Sequence, residues 1–192
     1  MKTRESGMPD ETMWQGFFDP PSILAKLGLD AKCGNVVEFG CGYGTFTIPA
    51  AGIVQGTLFT FDIEAEMVEA TRCKAEAAEL KNVVVLQKDF AADGTGLAEA
   101  SADYVMLFNI LHAEERIVLL QEAWRVLKAG GKLGIIHWNY DASTPRGPNM
   151  EIRPRPEQCR SWAEQVGLEL LAPGLIDLPP YHYGFVFGRP LS

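Results

Sequence analysis

Apolar runs alternate with mixed segments along the chain, and this alternation predicts a sheet whose strands are separated by helices. Short, nearly continuous apolar runs predict strands that are buried on both faces. They lie at residues 35–39, 58–61, 83–86, 103–109 and 132–138. Segments that predict helices lie between them at 45–54, 64–80 and 114–128, the last ending at Gly130 and Gly131. Such alternation is typical of a parallel sheet with right-handed crossovers.

The C-terminal part of the chain departs from this alternation. A proline- and arginine-bearing loop at 139–156 precedes a predicted helix at 157–166 and two strands, near 168–176 and 181–188. Because no helix separates these two strands, they must form a hairpin. The fold class predicted is therefore α/β, a doubly wound and mostly parallel sheet with one antiparallel strand near an edge.

The N-terminal segment differs from the rest in being polar and then aromatic. Residues 1–19 carry charges throughout and end in an aromatic group that includes Trp14, Phe17 and Phe18. We expect an N-terminal arm over 1–19 that docks on an apolar surface, either as a packing arm or as a lid over a site. Residues 20–192 are predicted to form a single domain, since 192 residues are too few for two large cores.

Composition and charge exclude several classes of function. The formal charge of −8, from 25 acidic and 17 basic residues without a basic stripe, disfavours a nucleic-acid partner. No segment approaches the roughly 20 apolar residues of a membrane span, and no signal peptide is evident, so a cytoplasmic location is expected. The four cysteines form no CxxC pair, so no metal site is predicted.

Candidate chemistry gathers where the predicted strands end. The first strand carries Glu38 and runs into glycines at alternate positions, Gly40, Gly42 and Gly44. Asp62 follows the second strand, 18 residues beyond Gly44, at the place where a carboxylate accepts the hydroxyls of a ribose. Since ligands of doubly wound sheets bind at the carboxyl ends of the strands, we expect a ligand that contains a nucleoside.

The spacing of the glycines and the charge of Glu38 distinguish two nucleoside cofactors. A dinucleotide fingerprint is G-x-G-x-x-G, whereas this turn reads G-x-G-x-G. A carboxylate beside the turn would repel a pyrophosphate and attract an ammonium or sulfonium group. At about 4 Å that difference in sign is on the order of several kcal/mol at an effective dielectric near 20. The turn therefore favours a cationic nucleoside over a nicotinamide dinucleotide.

These motifs together resemble a known family. Glu38-x-Gly40-x-Gly42-x-Gly44, Asp62 and the segments 88–90, 109–112 and 127–131 resemble class I S-adenosylmethionine-dependent methyltransferases, in particular the small type-11 group that includes ubiquinone- and menaquinone-biosynthesis-like enzymes. The resemblance implies a Rossmann-like sheet of seven strands in the order 3-2-1-4-5-7-6. It also implies S-adenosylmethionine as the cofactor, with S-adenosylhomocysteine as product. The cofactor-binding residues that it implies are Glu38, Gly40, Cys41, Gly42, Gly44, Asp62, Ile63, Met67, Asp89, Phe90, Asn109 and Ile110.

The methyl acceptor is less well defined by the sequence. A small molecule is expected, because 1–19 and 139–156 are the segments left over from the core fold. Candidate substrate contacts are Trp14, Phe17, Tyr140, Arg146 and Arg153. If the acceptor must lose a proton, His112 and His137 at strand ends are candidate bases. Two alternatives stay open: a non-catalytic scaffold that keeps the cofactor pocket, and a nicotinamide-dependent oxidoreductase.

Overall fold

The computed structural model describes residues 9–191, which fold around one mixed sheet. Its strands are β1 (Val36–Phe39), β2 (Leu58–Asp62), β3 (Val83–Gln87), β4 (Ala102–Phe108), β5 (Leu127–Trp138), β6 (Glu169–Leu170), β7 (Ile176–Leu178) and β8 (His182–Gly188). The helices are α1 (Glu11–Gln15), α2 (Pro20–Lys26), α3 (Thr47–Ile53), α4 (Ala65–Ala77), α5 (Phe90–Asp93), α6 (Arg116–Val126) and α7 (Pro156–Gln165). Within residues 9–191 no helix has the length and apolar character needed to cross a membrane.

The strand order confirms the predicted fold class. The order is β3-β2-β1-β4-β5-β8-β6, with β7 also paired to β8. The first five strands are parallel, and β8 runs antiparallel to β5. The difference from the prediction is that the sixth strand is split into β6 and β7. The chain leaves the sheet between β6 and β7, because Pro173 has no N–H to donate to a neighbouring strand and Gly174 has a φ of +93°.

The end of α6 also differs from its prediction. The helix ends at Val126, before the two glycines, and β5 begins at once with Leu127. Leu127 is buried and pairs with Ala102, after which the register between β4 and β5 shifts before Tyr104. Burial of an apolar side chain in the sheet has therefore outweighed the glycine stop signal.

Two hydrophobic clusters cover the two faces of the sheet. One packs α5, α6 and α7 against side chains such as Val37 and Phe39 of β1. The other packs α2 and α3 against Val36 of the same strand and against Tyr104 and Met106 of β4. Since β1 contributes to both clusters, it is buried on both faces, as its apolar run predicts.

Tyr104 ties the β4 strand to the segment after α2, and it generates a stability prediction. The ring is fully buried, and Oη donates a 2.9 Å hydrogen bond to the Leu27 carbonyl. In the variant Tyr104→Phe that carbonyl loses its donor, so we expect a loss of about 1 to 2 kcal/mol in the free energy of unfolding, measured by urea denaturation. Tyr181→Phe, at a partly exposed ring, is the control. Equal losses in both variants would contradict the assignment.

Candidate active site

A glycine turn joins β1 to α3 at the carboxyl edge of the sheet. Gly40, Gly42 and Gly44 have φ values of +84°, +50° and +75°, which residues with a Cβ rarely adopt. The amides of Gly40 and Cys41 both donate to the Phe61 carbonyl, at 2.9 and 3.0 Å. The turn therefore lies across the end of β2, with its backbone held in a strand–turn–helix arrangement.

Asp62 is the last residue of β2 and braces this turn. Its Oδ2 accepts from the Gly42 amide at 2.9 Å, and its Oδ1 accepts from the Glu64 amide at 3.1 Å. Burial raises the pKa of the Asp62 carboxyl, while these amides oppose the shift. The thiol of Cys41 lies 3.8 Å from both Asp62 Oδ2 and the carbonyl of Met67, which is buried in α4. Ile63, half-buried, follows directly.

Glu38 is a buried carboxyl within β1, 3% exposed. Its Oε2 accepts hydrogen bonds from the hydroxyls of Thr47 at 2.5 Å and Thr60 at 2.7 Å. Burial raises the pKa of Glu38 to about 7; the two hydroxyls lower it and the charge of Asp62 raises it further. Sequence reasoning missed both threonines. The register of β1 and β2, which places Thr60 opposite Glu38, is visible only in the structure.

The ends of β3 and β4 bring the other predicted cofactor residues to the same edge. Asp89 caps α5 by accepting from the Ala92 amide at 3.1 Å, and the buried Phe90 packs edge-on against Phe39. Asn109 has a φ of +56°, and its Oδ1 is buried without a hydrogen-bond partner among the described residues. The Ile110 side chain comes within 3.6 Å of the position that a Cβ on Gly40 would occupy.

The two candidate bases, His112 and His137, lie together, with ring centroids 5.6 Å apart. Burial, and then the charge of Arg116, lower the pKa of His112 to about 4. Burial lowers the pKa of His137 as well, followed by the neighbouring His112 and His182. Both imidazoles are therefore neutral at pH 7 in this conformation, and the lowered pKa makes each a weak proton acceptor.

Unpartnered polar atoms concentrate at this edge. In the part of the chain that the structure describes, the buried side-chain atoms without a hydrogen-bond partner belong to Thr45, Asn109, His112, His137 and His182. Thr45 follows the glycine turn, Asn109 and His112 follow β4, and His137 lies at the end of β5. His182 begins β8, opposite the last residue of β5. Because buried polar groups in folded proteins are normally satisfied, this concentration points to a ligand there.

The N-terminal arm closes over the same edge. Phe17 is buried with its ring 5.2 Å from Trp138, and Phe18 lies 4.5 Å from the ring of His182. Trp14 packs on Phe18 at 4.9 Å. The arm is thus built into an aromatic wall formed by the ends of β5 and β8; residues 1–8 of the predicted arm lie outside the described residues.

Polar contacts tie the arm to the glycine turn. Lys74 of α4 forms an ion pair with Glu11 and donates to the Tyr43 carbonyl, while Tyr43 Oη donates to the Pro9 carbonyl at 3.0 Å. A cavity of about 420 Å³ lies between the arm and the turn, lined in part by Pro20, Thr45 and Lys74. Lys74 is a contact that sequence reasoning missed, since nothing in α4 distinguishes it from other surface lysines.

The loop after β5 gives a different result for the predicted substrate contacts. Arg153 is buried, and its guanidinium donates to loop atoms that include the carbonyls of Asn139 and Asp141, at 3.0 and 2.9 Å. Its contacts organise the loop and do not support the substrate role predicted for it. Tyr140 lies beneath the guanidinium of Arg155 at 3.9 Å, and Arg146 is exposed.

Comparisons with known proteins agree with this architecture. The model of a family described as "Methyltransferase domain" matches residues 36–131. The chain is 30% identical over 115 residues to ribosomal protein L11 methyltransferase of Oceanobacillus iheyensis, covering 58% of this chain and 35% of that protein. It is 30% identical over 126 residues to demethylmenaquinone methyltransferase of Listeria welshimeri, covering 64% and 51%. The chain thus spans about half or less of these relatives.

A solved structure supports the fold. The crystal structure of a SAM-dependent methyltransferase from Aquifex aeolicus superposes with a TM-score of 0.81 at 24% identity, covering 94% of each chain. At that identity the likeness concerns the fold alone.

The buried Glu38 generates a prediction about pH. Its folded-state pKa, about 7, lies above the ordinary value of 4.5, so the folded chain binds more protons than the unfolded chain between these values. This contribution to stability is present at low pH and is lost as pH rises through about 7. Because glutamine does not ionise, we expect the stability of Glu38→Gln relative to the wild type to increase between pH 5 and pH 8, measured by urea unfolding.

The exposed Glu169→Gln variant is the matched control, and its stability difference from the wild type should be the same at both pH values. A pH-independent difference for Glu38→Gln would show that the Glu38 carboxyl is not held in the protonated form by burial.

Proposed function

The chain belongs to the methyltransferase domain family, and on that premise we propose that it transfers a methyl group from S-adenosylmethionine to a small-molecule acceptor. The observation that carries the proposal is the meeting of the glycine turn, the two buried carboxyls of Glu38 and Asp62, and the unpartnered polar atoms at one edge of the sheet. When bound, the cofactor supplies a methyl group that is already activated by its attachment to a sulfonium.

The residues at this edge fit such a cofactor. A carboxyl beside the turn attracts a cation and repels a pyrophosphate in its ionised form, and the unpartnered Oδ1 of Asn109 offers an acceptor to an ammonium. Asp62 retains lone pairs for ribose hydroxyls beyond its two amide bonds. The residues that would hold the cofactor are Glu38, Gly40, Cys41, Gly42 and Gly44 at the turn, Asp62, Ile63 and Met67 after β2, Asp89 and Phe90 after β3, and Asn109 and Ile110 after β4.

The N-terminal arm would act as the lid of this site. Its aromatic residues Phe17 and Phe18 cover the ends of β5 and β8, where they exclude water from the neighbouring polar groups. Holding an acceptor in line and dry can contribute roughly 7 to 11 kcal/mol to lowering a barrier. We therefore propose that the described part of the arm, residues 9–19, closes over the acceptor, with Trp14 and Phe17 beside it.

The chain's own residues support positioning more than proton abstraction. The pKa of His112 is about 4, which makes it a weak proton acceptor, so it would orient the methyl acceptor through a hydrogen bond. The scaffold and oxidoreductase alternatives have no observation that favours them over methyl transfer. They remain outcomes of the experiments.

The first experiment is calorimetry with S-adenosylhomocysteine. We expect wild type to bind, and Asp62→Ala to weaken binding by roughly 10- to 100-fold, because hydrogen bonds to a charged carboxylate contribute about 1.5 to 3 kcal/mol. Asp62→Asn, which keeps an acceptor for the Gly42 amide, separates ribose recognition from bracing of the turn. Asp177→Ala, at an exposed position of β7, is the control and should bind as wild type does.

Absence of wild-type binding at millimolar S-adenosylhomocysteine, with tight binding of NADH, would reverse the proposal in favour of an oxidoreductase. If S-adenosylhomocysteine binds tightly, a screen of small acceptors with labelled S-adenosylmethionine distinguishes an enzyme from a scaffold. Transfer of label to any acceptor establishes catalysis, whereas persistent inactivity favours the scaffold.

A further inference from the structure

We propose that Tyr43 and Lys74 couple the N-terminal arm to the glycine turn, so that a nucleoside ligand on the turn and the closed position of the arm stabilise each other. The contacts that these two residues make with Pro9 and Glu11 of the arm are called the latch. The identity of the ligand rests on the proposed function, whereas the contacts of the latch rest on the structure. Arm residues outside the aromatic wall thereby contribute to the affinity of the turn for its ligand.

The described part of the arm is attached to the rest of the chain in two different ways. Phe17 is buried, with its ring against Trp138. The preceding helix α1 has no buried residue, and its Trp14 packs on Phe18, which belongs to the same arm. A cavity of about 420 Å³ lies between this part of the arm and the turn. The polar contacts of the latch therefore decide how closely α1 approaches the turn.

Lys74 of α4 bridges the arm and the turn. Its ammonium forms an ion pair with Glu11, in which the two side chains are 31% and 38% exposed, and it donates to the Tyr43 carbonyl at 2.6 Å. Tyr43 adds a second contact with the arm, because its Oη donates to the Pro9 carbonyl at 3.0 Å. An isolated ion pair of this exposure contributes little to stability. Here the ion pair and the two hydrogen bonds share Tyr43 and Lys74, so the three contacts support one another.

Tyr43 links the latch to the turn because it is part of the turn. It lies between Gly42 and Gly44, whose φ values of +50° and +75° belong to the left-handed region. The Gly42 amide donates to Asp62 Oδ2 at 2.9 Å, and the Gly42 carbonyl accepts from Thr71 Oγ1 at 2.9 Å. A change in the backbone of the turn therefore reorients the Tyr43 carbonyl, which is an acceptor of the latch.

Coupling through the latch acts in both directions. A ligand that holds the turn in its present conformation keeps the Tyr43 carbonyl in place for Lys74, and so favours the closed arm. By the same free energy, release of α1 lowers the affinity of the turn for that ligand. Since Phe17 is buried, the segment that opens to exchange the ligand is the one that precedes it.

The first test removes the arm side of the latch and leaves the turn side in place. In Glu11→Ala, Lys74 keeps its hydrogen bond to the Tyr43 carbonyl. We expect S-adenosylhomocysteine to bind about 2- to 5-fold more weakly in calorimetry, because partly exposed ion pairs contribute modestly. Lys74→Met also removes the donor to the Tyr43 carbonyl and should weaken binding by about 5- to 20-fold.

Two matched variants are the controls. Glu157→Ala removes an exposed acid from the first turn of α7, and Lys81→Met removes an exposed lysine, so both should bind as wild type does. If Lys74 merely braced the turn, Glu11→Ala would bind as tightly as wild type. Unchanged binding in Glu11→Ala therefore overturns the proposal.

Hydrogen exchange measured by mass spectrometry tests the coupling without relying on affinity. In wild type, we expect S-adenosylhomocysteine to slow exchange in peptides of the turn, 39–48, and also in peptides of the arm, 9–19. In Glu11→Ala the ligand should still slow exchange in the turn but have little effect on the arm. Equal slowing of the arm in both proteins would contradict the coupling.

Failure of this proposal is distinguishable from failure of the proposed function. If wild type does not bind S-adenosylhomocysteine, the proposed function is rejected, and ligand-free protein still tests the latch. In that state Glu11→Ala should exchange faster than wild type in both the arm and the turn, where the Gly44 amide donates to the Cys41 carbonyl. Faster exchange in the arm alone rejects the coupling.

Discussion

Burial of β1 on both faces is the constraint on which the rest of the structure depends. The strand lies between β2 and β4, with helices packed on each side, so it can carry almost no unsatisfied polar group. Its one carboxyl, Glu38, accepts hydrogen bonds on Oε2 from hydroxyls of α3 and β2. This one oxygen therefore joins β1 to the helix after the turn and to the neighbouring strand. The position of the glycine turn follows from this arrangement.

At the carboxyl edge of the sheet, several buried polar groups lack hydrogen-bond partners among the described residues. In the loop after β5, the buried Arg153 finds backbone and hydroxyl acceptors within its own loop. By contrast, Asn109 and the histidines keep buried atoms without partners in the described part of the chain. Folded proteins break local rules of this kind mainly at functional sites. The contrast between a satisfied loop and an unsatisfied edge separates groups that stabilise the fold from groups that are held ready for a ligand.

The sequence predicted the parts of the molecule that depend on local pattern. Apolar runs gave the five parallel strands, and the glycines with Asp62 gave the edge that we propose for the ligand, because strand ends of a doubly wound sheet share one edge. Boundaries decided by long-range burial were not predictable: Leu127 joins β5 because Ala102 pairs with it, and Arg153 faces its own loop. Thr47 is likewise recognisable as a partner of Glu38 only once α3 is packed.

The contact between the rings of His112 and His137 was also not predictable from the sequence. Their separation of 25 residues in sequence contains no sign that β4 and β5 bring the rings within 5.6 Å. Position at a strand end suggested a base for each, and burial lowers the pKa of both, which weakens each as a proton acceptor. The chemistry of these residues is decided by the environment that the fold creates around them.

A cationic nucleoside cofactor is expected to bind across the glycine turn, and a crystal structure with S-adenosylhomocysteine tests this expectation. We expect the ribose hydroxyls within hydrogen-bond distance of Asp62, and the ammonium beside Asn109 on the side of Glu38. A ligand bound elsewhere, or in this crevice with its ribose away from Asp62, would contradict it.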